Sequence, residues 1–143
     1  MTVYIDADAC PVVDIALAAC RGRGIPVVLV CDVNHVLQKE GARTVYVEKG
    51  SDSADLRIAN MAGRDDLVIT QDYGLAALAL ARGAKALSQN GLVFTQDNID
   101  ALLLSRHTAA RIRRGGGRLK GPAKRTKDMD AAFLKALETR IAT

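Results

Sequence analysis

Five aspartates, Asp6, Asp8, Asp52, Asp55 and Asp72, have the type and spacing to share a cation. Asp6 ends the apolar run VYI, and Asp8 follows two residues on. An extended path would keep those two side chains on one side, roughly 6–7 Å apart. Asp52 and Asp55 lie three apart at the start of a helical pattern, so they share a face. Asp72 follows LVIT (67–70). Gathered carboxylates repel: at ~5 Å and an effective dielectric near 20, two unit charges cost about 3 kcal/mol. A hard divalent cation removes that conflict, and an all-oxygen set suits Mg2+ or Mn2+. Such an ion polarises a phosphoryl oxygen and lowers the pKa of a bound water, the chemistry of phosphodiester hydrolysis.

Helix capping competes with metal ligation for Asp52, Asp55 and Asp72, because a carboxylate at a helix start accepts backbone N–H groups. Asp6 has no such alternative. It interrupts a core strand, where a bare charge is expensive. Ser51, Ser53, Thr70 and Gln71 flank the acids and are placed to orient carboxylates or waters, with capping again the alternative. Cys10 lies between Asp8 and Pro11, but a nucleophilic thiol needs a base, and His35 and His107 are distant in sequence. Cys10 therefore reads as packing behind the acids, and Cys20 and Cys31 as small core residues.

The elements that must position these residues follow from periodicity. Apolar or β-branched runs at 3–5, 25–31, 43–48, 67–70, 84–87 and 92–95 read as six strands. Helical spacing follows Pro11, Asp52, Asp72 and Asp97, and the segment 32–41 has room for a short helix. Asp97 is expected to cap a long helix ending near Gly115. A last amphipathic helix, starting at Asp128 or Asp130, carries Met129, Phe133, Leu134, Leu137 and Ile141. Its apolar stripe fits either the same domain or a second copy of the chain in a homodimer. Strands alternating with helices imply a mainly parallel sheet covered on both faces, a three-layer α/β/α fold. In such sheets ligands bind outside the carboxyl ends of the strands. With 143 residues, 49% hydrophobic and 3% aromatic, one domain spanning 1–143 with a Val/Ile/Leu/Ala core is expected.

Charge is divided unevenly. Residues 1–105 carry 13 acidic and 9 basic side chains, whereas 106–143 carry 3 and 11. Nine Lys/Arg and no acid lie between Arg106 and Lys127. Within this stretch Arg111, Arg113, Arg114, Arg118, Lys120, Lys124 and Arg125 accompany glycines and Pro122, a composition that suits phosphate backbones. It holds no aromatic for stacking on bases. A solvated basic tail is the plainer alternative. Three cysteines without CxxC spacing argue against a disulfide framework or zinc knuckle. With no basic leader or membrane-length apolar run, they point to a cytoplasmic protein.

The stretches YIDADACPV (4–12), GSDSADLRIAN (50–60), VITQDYGLA (68–76) and RGGGRLKGP (114–122) together resemble the YaiI/YqxD family of small bacterial proteins, grouped with PIN-like domains. The likeness runs over nearly the whole chain. It implies a PIN-like α/β/α fold with an acidic pocket, and cleavage of RNA with Mg2+ or Mn2+. By position, Asp6 matches the first-strand acid, Asp55 that of the middle helix, and Asp72 the T-x-D acid after the fourth strand. Asp8 and Asp52 are additional acids, placed to replace the remaining PIN ligand. The expected activity is therefore a divalent-metal-dependent nuclease acting on RNA, with metal-activated water attacking the phosphodiester. A non-catalytic nucleic-acid-binding module is one rival. A haloacid-dehalogenase-like phosphatase, with the first Asp of IDAD as nucleophile, is another.

Overall fold

The computed structural model describes residues 1–33, 37–48, 53–114 and 124–142, with side chains through 105 and from 124. In chain order the elements are β1 (Val3–Asp6), α1 (Val13–Arg21), β2 (Val27–Asp32), β3 (Ala42–Val47), α2 (Ser53–Met61), β4 (Leu67–Ile69), α3 (Tyr73–Ala81), β5 (Lys85–Leu87), β6 (Val93–Phe94), α4 (Gln96–Arg114) and α5 (Lys127–Ile141). The strands form one sheet in the order β3-β2-β1-β4-β5-β6. All neighbours are parallel except β5 and β6. β1 is central, with Val3 opposite both Val27 of β2 and Leu67 of β4.

Side chains alternate across the sheet, so β1 supplies two cores. Val3 and Ile5 join Val12, Ala16 and Leu17 at α1 and Phe133, Leu137 and Ile141 of α5 on one face. Tyr4 joins Ile58 of α2, Leu75 and Ala79 of α3, and Ile99 of α4 on the other. This is the three-layer α/β/α arrangement that the strand–helix alternation implied. The C-terminal stripe is buried within the chain itself: Phe133 and Leu137 are fully enclosed, and α5 lies against α1. Close approach at the β5–β6 turn makes that docking possible. Gly91 has φ +89°, and a Cβ there would lie 2.7 Å from the carbonyl oxygen of Ala132. No helix among the described residues is long and apolar enough to cross a membrane.

Several element boundaries differ from the sequence expectation. α1 begins at Val13, two residues after Pro11, and its N-cap Val12 makes no side-chain cap bond. α4 starts at Gln96, so Asp97 lies inside its first turn rather than capping it. Thr95 does the capping: its Oγ1 accepts from Asn98 N (3.2 Å), and Asn98 Oδ1 accepts from Thr95 N (2.9 Å). This reciprocal pair is a capping box with Asn in the usual Glu position. α5 is capped by Thr126, whose hydroxyl accepts from Met129 N, rather than by Asp128 or Asp130. The described residues between 32 and 41 form no helix. Asn34, His35, Ser51, Asp52, Arg118 and Lys120 lie outside the described residues, as do the side chains of His107, Arg111, Arg113 and Arg114.

Candidate functional site

Chain direction across the sheet reverses beside β1. From β1 the chain runs outward through β2 and β3, then returns to lay β4 on the other flank of β1. A topological switch point of this kind leaves a crevice at the carboxyl ends of the two flanking strands. Asp6, the last residue of β1, and Thr70 to Asp72, just beyond β4, stand at that point.

A buried hydroxyl joins them. Thr70 is completely enclosed. Its Oγ1 donates to Asp6 Oδ2 at 3.0 Å and accepts from Asp72 N at 3.0 Å. One side chain thereby fixes both the carboxylate ending β1 and the backbone entering α3. Asp72 Oδ1 accepts from Gly74 N (2.7 Å) and Leu75 N (3.1 Å), which makes it the N-cap of α3. The capping alternative is therefore realised at Asp72. Asp8 projects from the β1–α1 turn and ties it to the end of β2: Asp32 N donates to Asp8 at 3.0 and 3.2 Å. Ala9, next in that turn, takes a left-handed φ of 56°, a conformation costly for a residue with a Cβ.

The electrostatics of Asp6 reflect this setting. Burial pushes its pKa upward, the Thr70 hydrogen bond opposes the rise, and the charges of Asp8 and Asp72 add to it. Asp6, Asp8 and Asp72, far apart in type of element, thus share one field at the sheet edge. Asp55 lies half-buried in the first turn of α2, the helix that packs over β1, β2 and β3. Among the described residues, no three His, Cys, Asp or Glu side chains converge closely enough to hold a metal ion between them. The donor chemistry still fits a hard cation. Mg2+ typically keeps several waters and takes only one or two carboxylates, with substrate phosphate completing its shell.

The other candidates are distributed as follows. Gln71 does not orient a carboxylate in any bond the structure shows; its Oε1 accepts from Gln89 N at 3.1 Å and braces the β5–β6 turn. Ser53 opens α2 and lines a groove with Tyr46, Arg57 and Asn60 between β3 and α2. Cys10 is half-buried, and burial raises its thiol pKa. Asp6 raises it further, while Arg125 and a backbone hydrogen bond to Val12 lower it. A neutral thiol is a poor nucleophile, consistent with a packing role. Cys20 and Cys31 are buried as expected. Lys124 is exposed.

Arg125 behaves differently from a simple surface charge. Its Nε binds Asp130 Oδ1 (2.7 Å), Nη1 binds Asn90 Oδ1 (2.7 Å) and Nη2 binds the carbonyl oxygen of Gln89 (2.8 Å). These bonds pin the end of the Gly-rich basic segment beside the β5–β6 turn. Cys10 feels both Asp6 and Arg125, so Arg125 lies near the acidic edge. Gln89 and Asn90 carry no sequence signal for a site; SQNG (88–91) reads only as a turn.

Asp6, Asp8 and Asp72 at the carboxyl edge of a three-layer α/β/α sheet, with Arg125 held at the neighbouring turn, mark the candidate site. The chain belongs to the family described as "Uncharacterized BCR, YaiI/YqxD family", whose model matches residues 4–143. It is 53% identical to a UPF0178 protein of Exiguobacterium sibiricum over 133 residues, 93% of this chain and 91% of the relative. A UPF0178 protein of Ruminiclostridium cellulolyticum is 47% identical over 96% of this chain and 90% of its own. One from Clostridium acetobutylicum is 43% identical over 99% and 97%. No solved structure matches.

Proposed function

We propose that this protein is a divalent-cation-dependent nuclease acting on RNA. The observation that carries the reading is the Thr70-bridged pair of Asp6 and Asp72 at the switch point, with Asp8 adding a third charge to the same field. The match of Asp6 and of the T-x-D acid Asp72 to acids of PIN-like nucleases supports it. Thr70 holds one oxygen of Asp6, and the helix start holds one oxygen of Asp72. Carboxylate oxygens of Asp6 and Asp72 at this edge would hold Mg2+ or Mn2+. When bound, the ion supplies Lewis acidity toward a phosphoryl oxygen and a more acidic water. Lys124 and the basic residues preceding it neutralise the RNA backbone.

A second reading, a binding module without turnover, draws support from the absence of a three-carboxylate cluster among the described residues. One experiment separates the two. Purified protein is incubated with 5′-labelled single-stranded RNA in Mg2+, Mn2+ or EDTA, alongside Asp6→Asn. Metal-dependent cleavage that Asp6→Asn abolishes is expected. RNA binding without cleavage under either metal would leave the binding-module reading standing, and equal cleavage by Asp6→Asn would refute the role of Asp6.

A further inference from the structure

Beside the acidic edge lies a small cavity of about 240 Å3. Its walls come from four separate places: Ala9 and Pro11 after β1, Gln71 after β4, the turn after β5, and Arg125 with Met129 at the start of α5. It adjoins the proposed reaction centre, because Gln71 precedes Asp72, and Ala9 follows Asp8. Its volume is below the ~300–1,000 Å3 of pockets for drug-sized ligands, so it suits one flat ring system rather than a whole nucleotide.

The polar groups on its wall have a fixed polarity. Gln71 must turn its carbonyl oxygen toward Gln89 N, which is a donor. Asn90 must turn its oxygen toward the Arg125 guanidinium. A side-chain amide with its oxygen so committed offers a ligand its NH2 branch. Gln71 and Asn90 therefore present donors. A donor-lined pocket selects a ligand rich in acceptors. The guanidinium charge is already balanced by Asp130 at 2.7 Å, and the acids nearby disfavour a further anion. The matching ligand is thus a neutral acceptor. Pro11 and Met129 add apolar surface, and a thioether packs well against a ring.

We propose that this cavity is a nucleobase subsite selective for keto-bearing bases, uracil or guanine, over the amino-bearing adenine and cytosine. Uracil O4 and guanine O6 accept hydrogen bonds where adenine N6 and cytosine N4 donate them. A donor wall facing an exocyclic amine leaves both partners unsatisfied, which is how hydrogen-bonding sites reject close analogues. The subsite rests on the RNA reading above and specifies which residue of the strand would be held next to the scissile phosphate.

The test is fluorescence anisotropy of the full chain with labelled eight-nucleotide oligo(U), oligo(A) and oligo(C), in EDTA so that no strand is cut. Oligo(U) is expected to bind about tenfold more tightly than the other two. Gln71→Glu and Asn90→Asp keep the oxygens that Gln89 N and Arg125 need, yet replace each offered donor with an acceptor. Either variant should remove the preference, and the double variant should invert it toward oligo(A) and oligo(C). Thermal melting checks that the variants fold; should one unfold, the other and the wild-type preference still decide the matter. Equal affinity for the three oligomers, or an unchanged preference in folded variants, overturns the subsite. Cleavage with no base preference would refute the subsite and leave the nuclease reading intact, whereas no binding and no cleavage would remove both.

Discussion

Thr70 donates its hydroxyl proton to Asp6 and accepts the backbone N–H of Asp72, so one enclosed oxygen sets the geometry of both carboxylate-bearing segments. Thr70→Val keeps the volume and removes both bonds. It leaves a buried N–H without its acceptor, a loss of about 1–3 kcal/mol. Denaturant unfolding should show a lower midpoint with an unchanged slope, and Thr70→Ser should recover most of the loss. A Val variant as stable as wild type would mean that the bridge contributes nothing.

Asp6 also predicts a pH dependence. Folding raises its pKa, chiefly through burial. In the window between its unfolded and folded values the folded chain holds more protons, so stability falls as pH rises through the raised value. At neutral pH ionised Asp6 is therefore a liability. In EDTA, Asp6→Asn should melt higher than wild type at pH 7, and the difference should shrink toward pH 4. A lower melting point for Asp6→Asn at pH 7 would contradict this account.

Gly91 tests the docking of α5. A methyl group there meets the Ala132 backbone at 2.7 Å in a positive-φ conformation, whereas at Gly24 a Cβ has nothing within 4 Å. Gly24→Ala incurs backbone strain alone, roughly 1 kcal/mol. Gly91→Ala adds steric displacement of α5 and should cost about 1–3 kcal/mol more. Limited proteolysis should release the C-terminal helix from Gly91→Ala well before the Gly24 variant is cut.

Arg125 and Asp130 should be energetically coupled. Their bond is short, the guanidinium is largely enclosed with 23% of its side chain exposed, and Asn90 and the Gln89 carbonyl complete its shell. A double-mutant cycle with Arg125→Ala and Asp130→Ala should return a coupling above the ~0–1 kcal/mol of ordinary surface pairs. Zero coupling would make Arg125 one more solvated charge.

The proposed RNA contact of Lys124 has its own signature. If Lys124 neutralises one phosphate, Lys124→Ala should reduce the salt slope of single-strand binding by about 0.7. Affinity should fall equally for all sequences, unlike the base-dependent effects expected at Gln71 and Asn90.

Much of the fold was readable because its signals are local. Each strand is an apolar run, and Phe133, Leu137 and Ile141 fall on one helical face. The errors came where competing polar residues sit side by side. Thr95 and Asp97 can both begin a helix, and the Thr95–Asn98 exchange that decides between them involves a turn. β6 is two residues long, too short for its antiparallel direction to register. At the site, Asp6 stood out because a charge ends a core strand, and T-x-D brought Thr70 with it. The Gln71–Gln89 and Arg125–Asn90 bonds join turns 18 and 35 residues apart. Only tertiary packing brings such turns together, so neither pair leaves a pattern along the chain.

The hydrogen bond between Thr70 and Asp6 spans 64 residues. During synthesis the aspartate leaves the ribosome 64 residues ahead of its partner. The bond consequently cannot form until β4 has been synthesised and annealed to β1. A chain interrupted anywhere between the two residues therefore carries the acid without the hydroxyl that holds it.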